Sequence, residues 1–282
     1  AAAARDADAL MTFMPDSIGE AELAGMNRLR IVACALKGYD NFDVAACSRR
    51  GVWVTIVPDL LTVPTAELTI GLTIALARHM MAGDAHVRSG GFQGWRPTLY
   101  GAGLAGARIG LLGMGAIGEA IVARLKGFDA TVRYWDRRTL SAGREAELDI
   151  SWCERDALLA GSDMVICALP LSEETLHTVD TGAIALMKPG ALLVNPSRGS
   201  IVDESAVADA LETGQLGGYA ADVFEMEDWA RPDRPRTVEP RLLAMKDRTL
   251  FTPHLGSAVT TVRQAIEMEA AASIIDLLTG RE

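Results

Sequence analysis

Three side chains of the types that hold anions and move protons each stand just beyond an apolar run. Arg198 follows Leu192-Leu-Val-Asn-Pro-Ser, Glu227 lies in the loop after Tyr219-Ala-Ala-Asp-Val-Phe, and His254 ends Leu250-Phe-Thr-Pro-His. A guanidinium clamps a small anion through two parallel N–H···O bonds. An imidazole exchanges a proton near neutral pH, and a carboxylate beside it orients it and favours its charged form. Brought to one sheet edge, the three suit hydride chemistry on a small anion. Each also has an ordinary structural reading: Arg198 capping a loop, Glu227 one more acid in an acidic loop, His254 a satisfied structural histidine. His79, His86 and His177 sit in helical or turn segments and are expected to be surface or structural residues.

A second pattern supplies a partner for that chemistry. The apolar Arg108-Ile-Gly-Leu-Leu runs into Gly113-Met-Gly115-Ala-Ile-Gly118 and on into a helical segment, Ile117–Lys126. Gly113 permits a tight turn, Gly115 lets backbone approach a pyrophosphate, and Gly118 lets helix and strand pack closely. The helix start offers free N–H groups and the positive end of its dipole. Asp136 closes the next strand, 18 residues beyond Gly118. There a carboxylate accepts hydrogen bonds from a ribose 2′-OH and repels a 2′-phosphate, so NAD is the expected cofactor. Arg137 and Arg138 follow directly, and arginine at that point accommodates a 2′-phosphate. NADP therefore stays open as a weaker alternative.

These residues need a scaffold that ends many strands on one side. Strands are expected at 31–36, 52–57, 108–112, 131–135, 164–169, 191–195, 218–223 and 249–252. Helices are expected at 66–88, 117–126, 206–213 and 262–278. Several strand candidates are apolar without alternation, as in parallel sheets covered on both faces. The β-then-α order predicts an α/β fold with a doubly wound parallel sheet and a second, smaller domain. The glycine-rich stretch from Ser89 to Gly106 reads as the best boundary. Asp203 reads as a helix N-cap and Gly214 as a helix stop.

Composition narrows the class. With 49% apolar and 23% charged residues the chain is an ordinary globular one. Its 37 acidic against 27 basic residues, net −10, leave no basic stripe for nucleic acid. No apolar run reaches the roughly 18 residues of a membrane span. Cys34, Cys47, Cys153 and Cys167 lie far apart with no C-x-x-C pair. Neither a disulfide framework nor a metal site is expected, and a reducing, cytoplasmic setting is. The chain opens on alanines without Met, which reads as an incomplete N-terminus rather than a targeting segment.

Over essentially the whole chain these motifs resemble the D-isomer-specific 2-hydroxyacid dehydrogenase family. The matching stretches are Gly113–Gly118, Asn195-Pro-Ser-Arg198-Gly-Ser-Ile-Val-Asp, Asp222-Val-Phe-Glu-Met-Glu227 and Thr252-Pro-His254-Leu-Gly-Ser. Other stretches are similar to the phosphite-oxidising (phosphonate dehydrogenase) branch. They are Phe13-Met14-Pro-Asp, Cys34-Ala-Leu-Lys37-Gly38-Tyr-Asp-Asn-Phe-Asp, residues 57–67 and 222–230, and Gly256-Ser-Ala-Val with Arg263. The resemblance implies an NAD-binding Rossmann domain over 61–254 and a substrate domain joining 1–60 to 255–282. That second domain would lack the family's first strand and helix. It implies Arg198, Glu227 and His254 as the catalytic set, with Lys37, Gly38, Met14, Arg198 and Arg263 on phosphite. Thr65, Gly113, Gly115, Ala116, Ile117, Gly118, Asp136, Leu169, Pro170, Pro196, Asp222, His254 and Gly256 would serve the cofactor. Lys37 is the most telling, because a second cation suits a dianion better than a monocarboxylate. The family's long helix, resembling 65–88, implies a homodimer. A D-2-hydroxyacid dehydrogenase or glyoxylate-type reductase is the alternative, and an NAD-sensing binding protein is the non-enzyme one.

Overall fold

The computed structural model describes residues 4–281; residues 1–3 and Glu282, the ends of the expected substrate domain, lie outside the described residues. Two compact units are present. The smaller joins Ala1–Pro64, Glu227–Arg234 and Ser257–Glu282, and the larger joins Thr65–Met226 and Pro235–Gly256. The breaks fall after Pro64 and Gly256, not after residues 60 and 254, and the segment with Glu227 goes to the smaller unit. The Ser89–Gly106 stretch is not a boundary but lies inside the larger unit. Its end is tied down there: Ala102 N donates to Ala77 O (2.9 Å), and Leu104 and Ala107 enter the core.

In the smaller unit three parallel strands, β1 (Ala9–Thr12), β2 (Ile31–Cys34) and β3 (Trp53–Thr55), lie in that order. The central strand alternates with period two between two apolar layers. Val32, Cys34 and Leu36 pack with Leu23, Phe42 and Cys47 on one side. Ile31, Ala33 and Ala35 pack on the other with Ile266 and Ala270 of the Thr260–Thr279 helix. Burial on both faces is why this segment reads as one apolar run.

The larger unit holds seven parallel strands. In chain order they are β4 (Arg108–Leu112), β5 (Thr131–Trp135), β6 (Ile150–Trp152), β7 (Met164–Cys167), β8 (Ala191–Asn195), β9 (Leu216–Ala221) and β10 (Thr249–Phe251). Their spatial order is β10-β9-β8-β7-β4-β5-β6. The chain builds outward from β4 through β5 and β6, then returns to add β7 to β10 on the other side. The connections diverge between β4 and β7, and such a switch point opens a crevice beyond the carboxyl ends of the strands. This is the expected doubly wound sheet.

The expected 66–88 helix is two helices, Thr62–Ala77 and Met80–Arg88, broken at His79, which takes a left-handed φ of 51°. Asp203 caps its helix by accepting from Ser205 N and Ala206 N, and Gly214 ends it at φ 79°. Among the described residues no helix is long and apolar enough to cross a membrane.

Candidate active site

The glycine-rich turn joins β4 to the helix Ala116–Leu125, and each glycine answers a different demand. Gly113 sits at φ 102°, and a Cβ there would lie 2.5 Å from Ala168 O of the neighbouring strand end. A Cβ on Gly118 would lie 2.7 Å from Gly113 O. Gly115, the N-cap, faces open space with nothing within 4 Å of a Cβ. The turn is thus fixed by close packing on two sides and left open at its crest, where Gly115 and Ala116 are exposed. Asp136 is held beside it: Oδ2 accepts from Met114 N (2.8 Å) and Oδ1 from Arg138 N (3.2 Å). A carboxylate has about four acceptor sites, so capacity remains for a ribose hydroxyl. Asp136, Arg137 and Arg138 line a surface hollow, and Arg137 is ion-paired with Glu174. Leu169 and Pro170 follow β7, and a Cβ on Gly113 would lie 3.0 Å from Leu169 N.

After β8 the buried Asn195 organises the turn that carries Arg198. Its Oδ1 accepts from Ser197 N and Ser197 Oγ, and its Nδ2 donates to Arg198 O (2.9 Å). Pro196 is buried in the same turn and Arg198 is half-buried. Asn195 is a positioning residue to which the sequence assigned no role beyond its place in the Asn195-Pro-Ser-Arg198 motif; an Asn-Pro at a strand end was its local signal.

After β9 and β10, Asp222 organises the turn that carries His254. Its carboxylate accepts from Thr252 Oγ1, Leu255 N (2.7 Å) and Gly256 N (2.8 Å), and its main-chain oxygen accepts from His254 N (2.8 Å). Burial pushes its carboxyl above the ordinary range, while these bonds and the His254 charge pull it back. His254 takes φ 57°, a strained setting for a non-glycine residue. A Cβ on Gly256 would lie 3.1 Å from Thr65 Oγ1 and 3.3 Å from Asp222 Oδ2. Thr65, Asp222 and Gly256 therefore form one packed group. The larger unit thus gathers the expected glycines, Asp136, Leu169, Pro170, Pro196, Arg198, Asp222, His254 and Gly256 at carboxyl ends of its strands.

The remaining candidates belong to the smaller unit. Half-buried Lys37 follows β2 and donates from Nζ to Thr62 Oγ1 (3.3 Å). Burial lowers its pKa from the ordinary 10.5, and the Asp59 charge opposes the shift. Arg263 Nη1 donates to Ala35 O (3.3 Å), two residues before Lys37. Two cations therefore stand at the carboxyl end of β2. Gly38 adjoins them, Met14 O accepts from Asn41 Nδ2 (3.1 Å), and Glu227 ends a short 3-10 turn, Glu225–Glu227.

Known proteins resemble this chain. The family model described as "D-isomer specific 2-hydroxyacid dehydrogenase, NAD binding domain" matches residues 70–256. The chain is 38% identical over 281 residues to the glyoxylate reductase of Pyrococcus furiosus, covering 98% of this chain and 81% of that one. It is 34% identical over 278 residues to the glyoxylate reductase of Thermofilum pendens, covering 98% and 80%. A solved structure from Thermus thermophilus superposes with a TM-score of 0.90 at 33% identity, covering 100% of this chain and 86% of that one. A 2-hydroxyacid dehydrogenase from Ketogulonicigenium vulgare superposes with 0.86 at 30% identity, covering 100% and 85%.

Proposed function

Because the chain belongs to the D-isomer specific 2-hydroxyacid dehydrogenase family, we propose that it couples NAD to the redox chemistry of a small anion through Arg198, His254 and Glu227. One observation carries the reading: the glycine-rich turn after β4, Arg198 after β8 and His254 after β10 end strands of a single parallel sheet on the same side. The open crest at Gly115 and the fixed Asp136 fit a dinucleotide. Gly113, Gly115, Ala116, Ile117 and Gly118 would hold the pyrophosphate, and Asp136 the ribose. Leu169, Pro170, Pro196, Thr65, Asp222 and Gly256 would line its nicotinamide half. Bound NAD supplies a two-electron hydride acceptor or donor. The pairing of Arg137 with Glu174 favours NAD over NADP.

Charge favours phosphite as substrate. Lys37 and Arg263 both stand at the carboxyl end of β2, and two cations there suit a compact dianion better than a monocarboxylate where the dielectric is low. Phosphite and water would give phosphate as the P–H bond breaks with its electron pair leaving as hydride. The new P–O bond forms from water, whose proton His254 accepts. Membership of the family implies that Glu227 would orient the imidazole and favour its charged form.

The relatives' names support a second reading and do not support phosphite: reduction of glyoxylate to glycolate. There Arg198 holds the carboxylate, and His254 gives a proton to the carbonyl oxygen as hydride adds to carbon. One assay separates the readings. Purified protein is mixed with NAD⁺ and phosphite, with NAD⁺ and glycolate, and with NADH and glyoxylate, following absorbance of the reduced cofactor. Phosphite-dependent NADH formation at least tenfold faster than glycolate-dependent formation supports the first; the reverse order sinks it. Turnover with none of them favours an NAD-sensing binding protein.

A homodimer is part of the same proposal. Met80, Met81, Val87, Phe92, Trp95 and Tyr100 are exposed along one stretch of chain, and exposed apolar side chains gathered together mark interaction surfaces.

A further inference from the structure

We propose that His177 and Glu225 form a positioning pair that fixes Arg198, an inference that rests on the reading of Arg198 as the anion clamp. His177 is expected from its sequence context to be a surface or structural residue, and its geometry gives it more to do. Its backbone is left-handed, φ 49°, a conformation that a non-glycine side chain keeps only where its surroundings hold it. It is held from two directions. Its main-chain N–H donates to Ser200 O (2.8 Å), two residues beyond Arg198. Its Nε2 lies 2.9 Å from Glu225 Oε2.

Glu225 is one of two buried carboxylates that clasp each other's backbone. Its Oε1 accepts from Glu204 N (3.1 Å), and its own N–H donates to Glu204 Oε1 (2.8 Å). Glu204 Oε2 accepts in turn from Glu239 N (3.0 Å). Glu204 stands six residues beyond Arg198, at the start of the helix that the Arg198 turn leads into. Burial pushes its carboxyl above the ordinary range, so the two acids tolerate each other only because donors surround them.

No slack remains between the turns. A Cβ on Gly199 would fall 1.9 Å from Phe224 C and 2.1 Å from Glu225 N. The turn carrying Arg198 therefore lies flat on the turn carrying Glu225, and a shift of either moves the other. Apolar side chains would fill this space at less desolvation cost; directional bonds to two carboxylates instead specify one geometry. A guanidinium that must meet an anion with two aligned N–H bonds needs that precision.

The test compares four variants with the wild type, counting competent sites by NADH fluorescence titration. His177→Asn keeps a residue that tolerates left-handed backbone but is too short to reach Glu225. Glu225→Ala removes the acceptor, and Glu225→Gln restores an acceptor for Glu204 N and a partner for His177. Per competent site, His177→Asn and Glu225→Ala should raise KM for phosphite or glyoxylate, whichever is turned over, about tenfold, since small displacements of a positioning group cost one to two powers of ten. The Kd for NADH should stay within about twofold and Glu225→Gln within about threefold of wild type. A lower Tm with wild-type KM and kcat per competent site would make the pair merely structural and overturn the inference. His177→Asn carries the test if Glu225→Ala does not fold. Arg198→Lys separates the two failures. An unchanged KM there overturns the clamp itself, whereas a raised KM there beside a normal one in His177→Asn overturns only the positioning pair. A protein that turns over neither anion overturns both.

Discussion

Lys37 and Asp222 are both pushed by burial toward their neutral forms, and the structure compensates them differently. Asp222 receives three hydrogen bonds to its carboxylate; Lys37 has the hydroxyl of Thr62 and the more distant charge of Asp59. An anion would complete the compensation of Lys37. Lys37→Ala is accordingly expected to cost roughly 2–4 kcal/mol in kcat/KM for phosphite, as in losing one partner of a buried charge pair. Any activity on glyoxylate should suffer much less, and equal losses on both would remove Lys37 from the choice of substrate. The sign with pH follows from the lowered pKa. The free enzyme loses the Lys37 charge as pH rises through a value below 10.5, so kcat/KM for phosphite should fall on the alkaline side there. Lys37→Arg should move that limb to higher pH; an unmoved limb assigns it to another group. Asp222→Asn would set an NH₂ against one of the donors Thr252, Leu255 or Gly256. Denaturant unfolding should register a loss of about 1–3 kcal/mol. The His254 turn loosens with it, so kcat should drop more than KM rises.

At the scale of the element, the glycine-rich turn separates folding from binding. Gly113→Ala meets Ala168 O at a φ closed to L side chains and should lower Tm by about 5 °C or more. Gly115→Ala meets open space and should keep its Tm while weakening NADH at least several-fold, because the methyl occupies the approach to the phosphates. Equal Tm losses in the two variants would contradict this division. The same contrast explains what could be read from sequence. Strands β2, β4, β7 and β8 were legible because burial on both faces leaves an unbroken apolar run. The Ala9–Thr12 strand was not, being four residues without β-branched character until Thr12. The three-residue edge strand Ile150–Trp152 was missed too. The break at His79 was hidden because nothing local forces a histidine into left-handed backbone. The glycine turn and Asp136 announced themselves through spacing. The His177–Glu225 pair did not, since its members stand 48 residues apart and only the sheet brings them together.

At the scale of the whole molecule, the exposed apolar stretch from Met80 to Tyr100 predicts self-association. Sedimentation should give about twice the 30.0 kDa of one chain, and Met81→Asp with Tyr100→Asp should return it toward the single-chain mass. A wild-type protein that sediments as one chain at micromolar concentration would sink the dimer. The order of the chain has a further effect, on synthesis rather than catalysis. The face of the small sheet formed by Ile31, Ala33 and Ala35 is sealed by Ile266 and Ala270, so its closing helix emerges about 200 residues after its last strand. At roughly 5–20 residues per second, a nascent chain carries that apolar face uncovered for about 10–40 s while the seven-stranded unit is made. An apolar face exposed for that interval is the kind of surface that a ribosome-bound chaperone covers. Moving the Thr260–Thr279 helix to the N-terminus by circular permutation would abolish the wait.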